Sequence, residues 1–211
     1  MSIDQSGRNL KQVVAFTNFP ELDAGGGPDG PSFQPVTRKL FFSTTLSNGL
    51  SNTGAWEINK MPVQVVLPLA ADGSSDGGGA TAFLTIGPHA GNFLVVDVAN
   101  KKVVRVAPPF TSGHPGIDFI TKNLVAPKGL AVNSLGNIFV SNTDGTIEQF
   151  GSDGTFLGQY AATGLHNMNI VFDGSNLVVA TSDGPVIEIA PNGTKKTVGT
   201  VAGGDAVAIC P

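Results

Sequence analysis

The chain has 211 residues, 41% hydrophobic and only 13% charged, with 28 Gly and 14 Pro; it is long enough to bury a sizeable core, and its load of turn formers suits an all-β protein. A net charge of −4 excludes the basic footprint of a nucleic-acid or anionic-membrane binder, and no apolar run approaches the ~18–20 residues of a spanning helix. Cys210 is the single cysteine, which excludes an internal disulfide and a cysteine-based metal site.

In chain order, residues 1–10 are polar and lack the charged and apolar regions of a signal peptide, and the compartment stays open between cytoplasmic and secreted. Residues 12–18 (QVVAFTN) read as one strand, followed by a Gly/Pro loop over 20–31. Four groups of short strands follow, near residues 27–70, 79–125, 126–162 and 166–203, and residues 204–211 read as the first strand of a fifth group. Residues 71–79, rich in Gly, Ser and Asp, read as a long loop, and 108–116 as a Pro-rich excursion.

The third group is the plainest. Gly129-Leu130-Ala131-Val132, Asn137 to Ser141, Thr146 to Phe150 and Thr155 to Tyr160 are separated by Leu135-Gly136, Asp144-Gly145 and Asp153-Gly154. Strands rich in Val, Ile, Phe and Thr joined by such turns are antiparallel hairpins, because Gly and Asp tolerate positive φ. A shift of 39 residues lays Ser141-Asn142-Thr143-Asp144-Gly145 on Ala180-Thr181-Ser182-Asp183-Gly184, and Asp153-Gly154-Thr155 on Asn192-Gly193-Thr194. Four strands in about 40 residues, repeated, make the blades of a β-propeller.

The expected fold is therefore an all-β propeller of four-stranded antiparallel blades: about four blades plus two extra strands, one at each end. A ring closes by completing one blade from both termini. With one outer strand at the start and one inner strand at the end, the chain is expected to be part of a six-bladed ring with open sheet edges available for self-association. The alternative is a closed ring of four or five irregular blades.

In such a ring the opening residues of each inner strand cluster at one mouth. The 39-residue register makes Lys128 equivalent to Asn167, with Asp205, Asp29 and Thr81 as the corresponding residues of the other blades. Two carboxylates and an amide oxygen on one axis are hard ligands suited to Ca²⁺ or Mg²⁺; ordinary turn chemistry also places Asp and Asn before Gly.

The run from Asp29-Gly30-Pro31-Ser32-Phe33 to Leu40-Phe41-Phe42-Ser43 resembles the opening blade of the senescence-marker-protein/gluconolactonase family, and Gly-Leu-Ala-Val followed by Gly-Asn-Ile-Phe-Val is shared with NHL-repeat propellers. The resemblance implies a divalent cation, Ca²⁺ foremost, held by Asp29 (Asp for the family's Glu), Asn167 and Asp205. Asp205 is then also the catalytic base of lactone hydrolysis, with Lys128 and His166 at the mouth to contact a lactone or sugar-like substrate. The family's Asn-Asp before Gly in the third blade is Pro127-Lys128 here. The second reading is a non-catalytic NHL-type propeller that binds a protein or glycan through loops such as 71–79 and 108–116. Gly25-x-Gly27-x-x-Gly30 and Gly73-x-Ser75-x-Gly77 match nucleotide-binding and nucleophile motifs in spelling only, since no helix can follow either.

Overall fold

The computed structural model describes residues 28–34, 39–45, 51–57, 63–65, 78–109 and 116–201, and side chains from residue 79 onward within them. These residues form sixteen strands and no helix. The strands fall into four antiparallel sheets, each taken in chain order.

Blade one holds β1 (Pro28–Gln34), β2 (Lys39–Thr45), β3 (Ser51–Glu57) and β4 (Val63–Val65). Blade two holds β5 (Gly78–Phe83), β6 (Phe93–Asp97), β7 (Lys102–Val106) and β8 (Ile117–Ile120). Blade three comprises β9 (Pro127–Val132), β10 (Ile138–Asn142), β11 (Thr146–Phe150) and β12 (Phe156–Ala162). Blade four comprises β13 (Asn167–Asp173), β14 (Asn176–Thr181), β15 (Pro185–Ile189) and β16 (Lys195–Thr200). The first strand of each sheet packs on the first strand of the next, β1 on β5, β5 on β9 and β9 on β13; among the described residues β13 makes no comparable contact with β1. This is the blade arrangement of a β-propeller. The expected strand at 12–18, the fifth inner strand at 204–211 and the loop at 110–115 lie outside the described residues.

Period-two alternation explains the packing, since successive side chains point to opposite sheet faces. In β10, Ile138 and Val140 join Leu130 and Phe150 against Leu94, Val96 and Ile120 of blade two. Phe139, between them, turns the other way and packs with Ala131 and Ile147 against Ile170, Leu177 and Val179 of blade four. A central blade is buried on both faces and so reads as a continuous apolar run rather than an alternating one. Fully burying each such Val, Leu, Ile or Phe contributes about 1.5–3 kcal/mol.

Close approach of inner strands sets a further demand. A Cβ on Gly79 would lie 2.7 Å from the Lys128 carbonyl oxygen, and one on Gly129 would lie 2.8 Å from that of Met168. The end of the expected 71–79 loop is thus not loop: Gly78 and Gly79 open β5. Glycine is required there because the next blade's backbone occupies the place of a side chain.

Strand direction divides the molecule into two faces. The upper face is where inner strands begin. It carries the turns at 98–101, 143–145 and 182–184 and the blade connections at 121–126 and 163–166. The lower face carries the turns at 84–92, 133–137, 151–155 and 190–194. By the same logic the connection from β4 to β5 leaves from the upper face and that from β7 to β8 from the lower one. The expected loops 71–79 and 108–116 fall on these two connections, and their residues 71–77 and 110–115 lie outside the described residues.

Candidate functional site on the upper face

Each inner strand makes one cross-strand pair, or two in β1, and then a bulge, and the pair next to the bulge is the one compared. The pairs are Asp29 with Ser43, Gly78 with Asp97, Pro127 with Asn142 and Asn167 with Thr181. After each, the inner strand carries an extra residue before regular pairing resumes. Pairing of Pro127 with Asn142, as of Asn167 with Thr181, means the inner strand repeats at 40 residues where the second strand repeats at 39. The expected ring is corrected accordingly. Asp29 and Asn167 do share one level, together with Gly78 and Pro127. Lys128 sits one step further, on the bulge with Met168, and Thr81 pairs deeper with Val95.

Of the second-strand partners, Asp97, Asn142 and Thr181 are buried polar residues that organise this face. Asn142, fully buried, accepts the Val125 and Ala126 N–H groups at 3.2 Å and donates to Thr146 Oγ1 at 3.0 Å. Thr181 donates to the Pro185 carbonyl at 2.8 Å, and Asp97 accepts the Asn100 N–H at 3.1 Å. These are the repeat's structural caps.

Asn167 is also fully buried. Its Oδ1 accepts the Thr163 hydroxyl at 2.5 Å, and its Nδ2 donates to the Thr146 carbonyl of blade three at 3.2 Å. The amide therefore ties blade four to blade three. Lys128 is half-buried in β9. Of Asp29 only the backbone register is described, Asp205 lies outside the described residues, and among the described residues no three His, Cys, Asp or Glu side chains gather to hold a metal.

His166 precedes Asn167 and has its side chain 68% exposed. Its backbone N–H donates to Asp183 Oδ2 at 2.6 Å, and its Nδ1 stands 3.0 and 3.1 Å from the two Asp183 carboxylate oxygens. Hydrogen bonds from the His166 backbone, then from its ring, hold the Asp183 carboxyl below its ordinary value of 3.8. Asp183 was not among the residues expected at the site, although a signal for it exists. In blade three the aligned Asp144 accepts the Thr146 N–H and hydroxyl at 3.0 and 2.8 Å. In blade four the residue aligned with Thr146 is Pro185, which has neither group to offer, so the Asp183 carboxylate is released to His166.

The lower face holds a second polar cluster at the seam of blades two and three. The Arg105 guanidinium lies 5.6 Å from the Phe119 ring centroid and donates to Asn92 Oδ1 at 2.8 Å. His89 meets the same ring edge-on at 5.4 Å.

No protein-family model and no curated protein sequence matches the chain. Solved structures do resemble it. A chain of a nidogen/laminin complex superposes with a TM-score of 0.67 at 16% identity, over 83% of this chain and 65% of that one. A gluconolactonase from Xanthomonas campestris gives 0.57 at 16% identity, over 73% and 54%. Sqt1 of Saccharomyces cerevisiae gives 0.55 at 12% identity, over 86% and 49%. The chain thus spans about two-thirds or less of the length of each. At these identities the likeness shows the propeller fold, and that fold is common to proteins of unrelated function.

Proposed function

We propose that the chain is a non-catalytic propeller binding module whose recognition surface, for a glycan or protein partner, is the upper face. The observation that carries this reading is the state of Asn167. A buried amide already bonded to Thr163 and Thr146 would have to break those bonds to offer its oxygen to a cation. Leaving the partners unpaired costs about 1–3 kcal/mol each. The outer groups of the same face, by contrast, are exposed where a ligand can reach them: the His166 ring and Ser182, with Asp183 bonded to His166 beside them.

A second reading is favoured by one observation, the shared level of Asp29 and Asn167. In it the chain is a lactonase-like hydrolase: Asp29, Asn167 and Asp205 hold Ca²⁺, the cation polarises the lactone carbonyl, Asp205 activates water, and Lys128 and His166 contact substrate. Thermal melts with and without Ca²⁺, Mg²⁺, Mn²⁺ and Zn²⁺ separate the two, because a ligand bound only by the folded state raises Tm. The binding-module reading expects no Tm shift and no hydrolysis of glucono-δ-lactone above background. A Ca²⁺-dependent rise that disappears in Asp205→Ala, together with lactone turnover, overturns it in favour of the hydrolase.

A further inference from the structure

We propose that Asp183 and His166 form an acceptor dyad on the upper face, with Nε2 of the imidazole presented to a hydroxyl of a neutral sugar or polyol. The inference deepens the binding-module reading and rests on it for the face concerned.

The chemistry starts from the carboxylate. An ionised carboxylate can only accept, and both Asp183 oxygens stand within 3.1 Å of Nδ1. The ring proton of the neutral imidazole is therefore on Nδ1, which leaves the Nε2 lone pair without a proton. The backbone reinforces this geometry: the same carboxylate accepts the His166 N–H, and the Ser182 N–H donates to the His166 carbonyl at 3.0 Å. The connection before β13 and the turn before β15 are thereby clipped together, which holds the carboxylate beside the ring, and the Nδ1 contact with that carboxylate orients the ring. The low position of the Asp183 carboxyl relative to 3.8 keeps it ionised across the neutral range.

Position then decides what the dyad is for. The His166 side chain is mostly exposed, and Ser182 beside it is exposed too. With Nδ1 turned to Asp183 and the side chain mostly exposed, Nε2 is left as the acceptor on the open side of the ring. A cationic ligand would seek the carboxylate, but Asp183 already directs its lone pairs at the His166 backbone and ring. A neutral O–H donor suits Nε2 better, and a polyol supplies a second hydroxyl to Ser182. The dyad also has a local origin that can be reversed, because it exists where Pro185 stands in place of a threonine.

The test is direct. In ¹⁵N-labelled protein at mildly alkaline pH, where an imidazole is uncharged, long-range ¹H–¹⁵N spectra read the tautomer of His166. The expected result is a proton on Nδ1 in the wild type, and movement toward the Nε2–H form in Asp183→Ala and in Pro185→Thr. Pro185→Thr restores the blade-three cap, so the fold has no reason to fail. A wild-type ring protonated on Nε2, or no change in Pro185→Thr, overturns the dyad. The ligand half is read by titrating methyl β-glucopyranoside and following Nε2. A saturable shift in the wild type that is lost in Pro185→Thr supports it. No shift overturns it, and a shift produced by tri-lysine but not by the glucoside overturns it in favour of a cationic ligand. The tautomer reports the dyad whether or not lactone turnover is found, so failure of the dyad and failure of the binding-module reading are separate outcomes.

Discussion

Blades three and four share their turns and, in the second and third strands, a 39-residue register, yet they use those parts differently. Blade three is enclosed on both faces, and its lower turn packs tightly: a Cβ on Gly154 would lie 3.2 Å from the Phe119 ring. The aligned turn of blade four stands open, with nothing within 4 Å of a Cβ on Gly193, and β16 is exposed along its whole length. On the upper face Asp144 caps its own turn, while Asp183 reaches across to His166. A repeat therefore specifies a scaffold, and departures within it, such as Pro185 for Thr146, are where individual chemistry enters.

The largest expected effect breaks the seam between the two blades. Phe139 is 2% exposed and meets Tyr160 and Phe172 edge-on at 4.9 and 5.0 Å. Phe139→Ala should cost about 3–5 kcal/mol, measured by urea unfolding. Leu157→Ala, at a side chain 56% exposed, should lie within about 0.5 kcal/mol of wild type.

Next comes the inner-strand contact. Gly129→Ala drives a methyl to 2.8 Å from the Met168 carbonyl and 2.4 Å from Ser141 Oγ, and overpacking of this kind costs about 1–3 kcal/mol. Gly193→Ala, with open space but φ at +83°, should cost only the left-handed strain of about 1 kcal/mol. If both cost the same, the close approach of β9 and β13 is wrong.

Asn167→Ala removes the bond to Thr146 of blade three and the bond from Thr163 of the connection, and should destabilise by about 1–3 kcal/mol. The loss should be the same with and without Ca²⁺. A larger loss in Ca²⁺ would assign Asn167 to a cation instead.

The smallest effect is a pH signature confined to blade three. Burial is the main cause that raises the Glu148 carboxyl above its ordinary 4.5, with Asp144 adding to it and a hydrogen bond from Thr146 opposing. The folded chain then holds this proton more tightly than the unfolded one. Stability falls as pH rises through the folded value and stays lower above it. Glu148→Gln should accordingly raise Tm modestly at neutral pH and leave it unchanged well below the ordinary glutamate range. The aligned residue of blade four is Ile187, so no matching change is expected there.

Most of the fold was legible because its signals are local. Asp144-Gly145-Thr146 and Asp153-Gly154-Thr155 close their turns with bonds spanning two residues, so the turns can be read without knowing what packs around them. Short runs rich in Val, Ile, Phe and Thr between those turns placed β9 to β11 correctly for the same reason. The site was legible only in part. Asp29 and Asn167 do occupy one level, but Lys128 and Thr81 do not, because a bulge inserts one residue and every side chain beyond it changes level. Nothing in the Pro127-Lys128-Gly129 string marks that bulge.

What the sequence determined by itself is the all-β propeller character, its four-stranded unit and the turns that repeat it, since propensity, periodicity and positive-φ turns act over a few residues. What the tertiary structure alone decided is where the polar groups of the upper face point. Asn167 turns inward to Thr146 of the preceding blade, and Asp183 turns sideways to His166. Both bonds join residues 17 or more positions apart. The first forms only after packing has set blade four against blade three, and the second only after β13 has paired with β14, so neither partner can be read from its own neighbourhood of the chain.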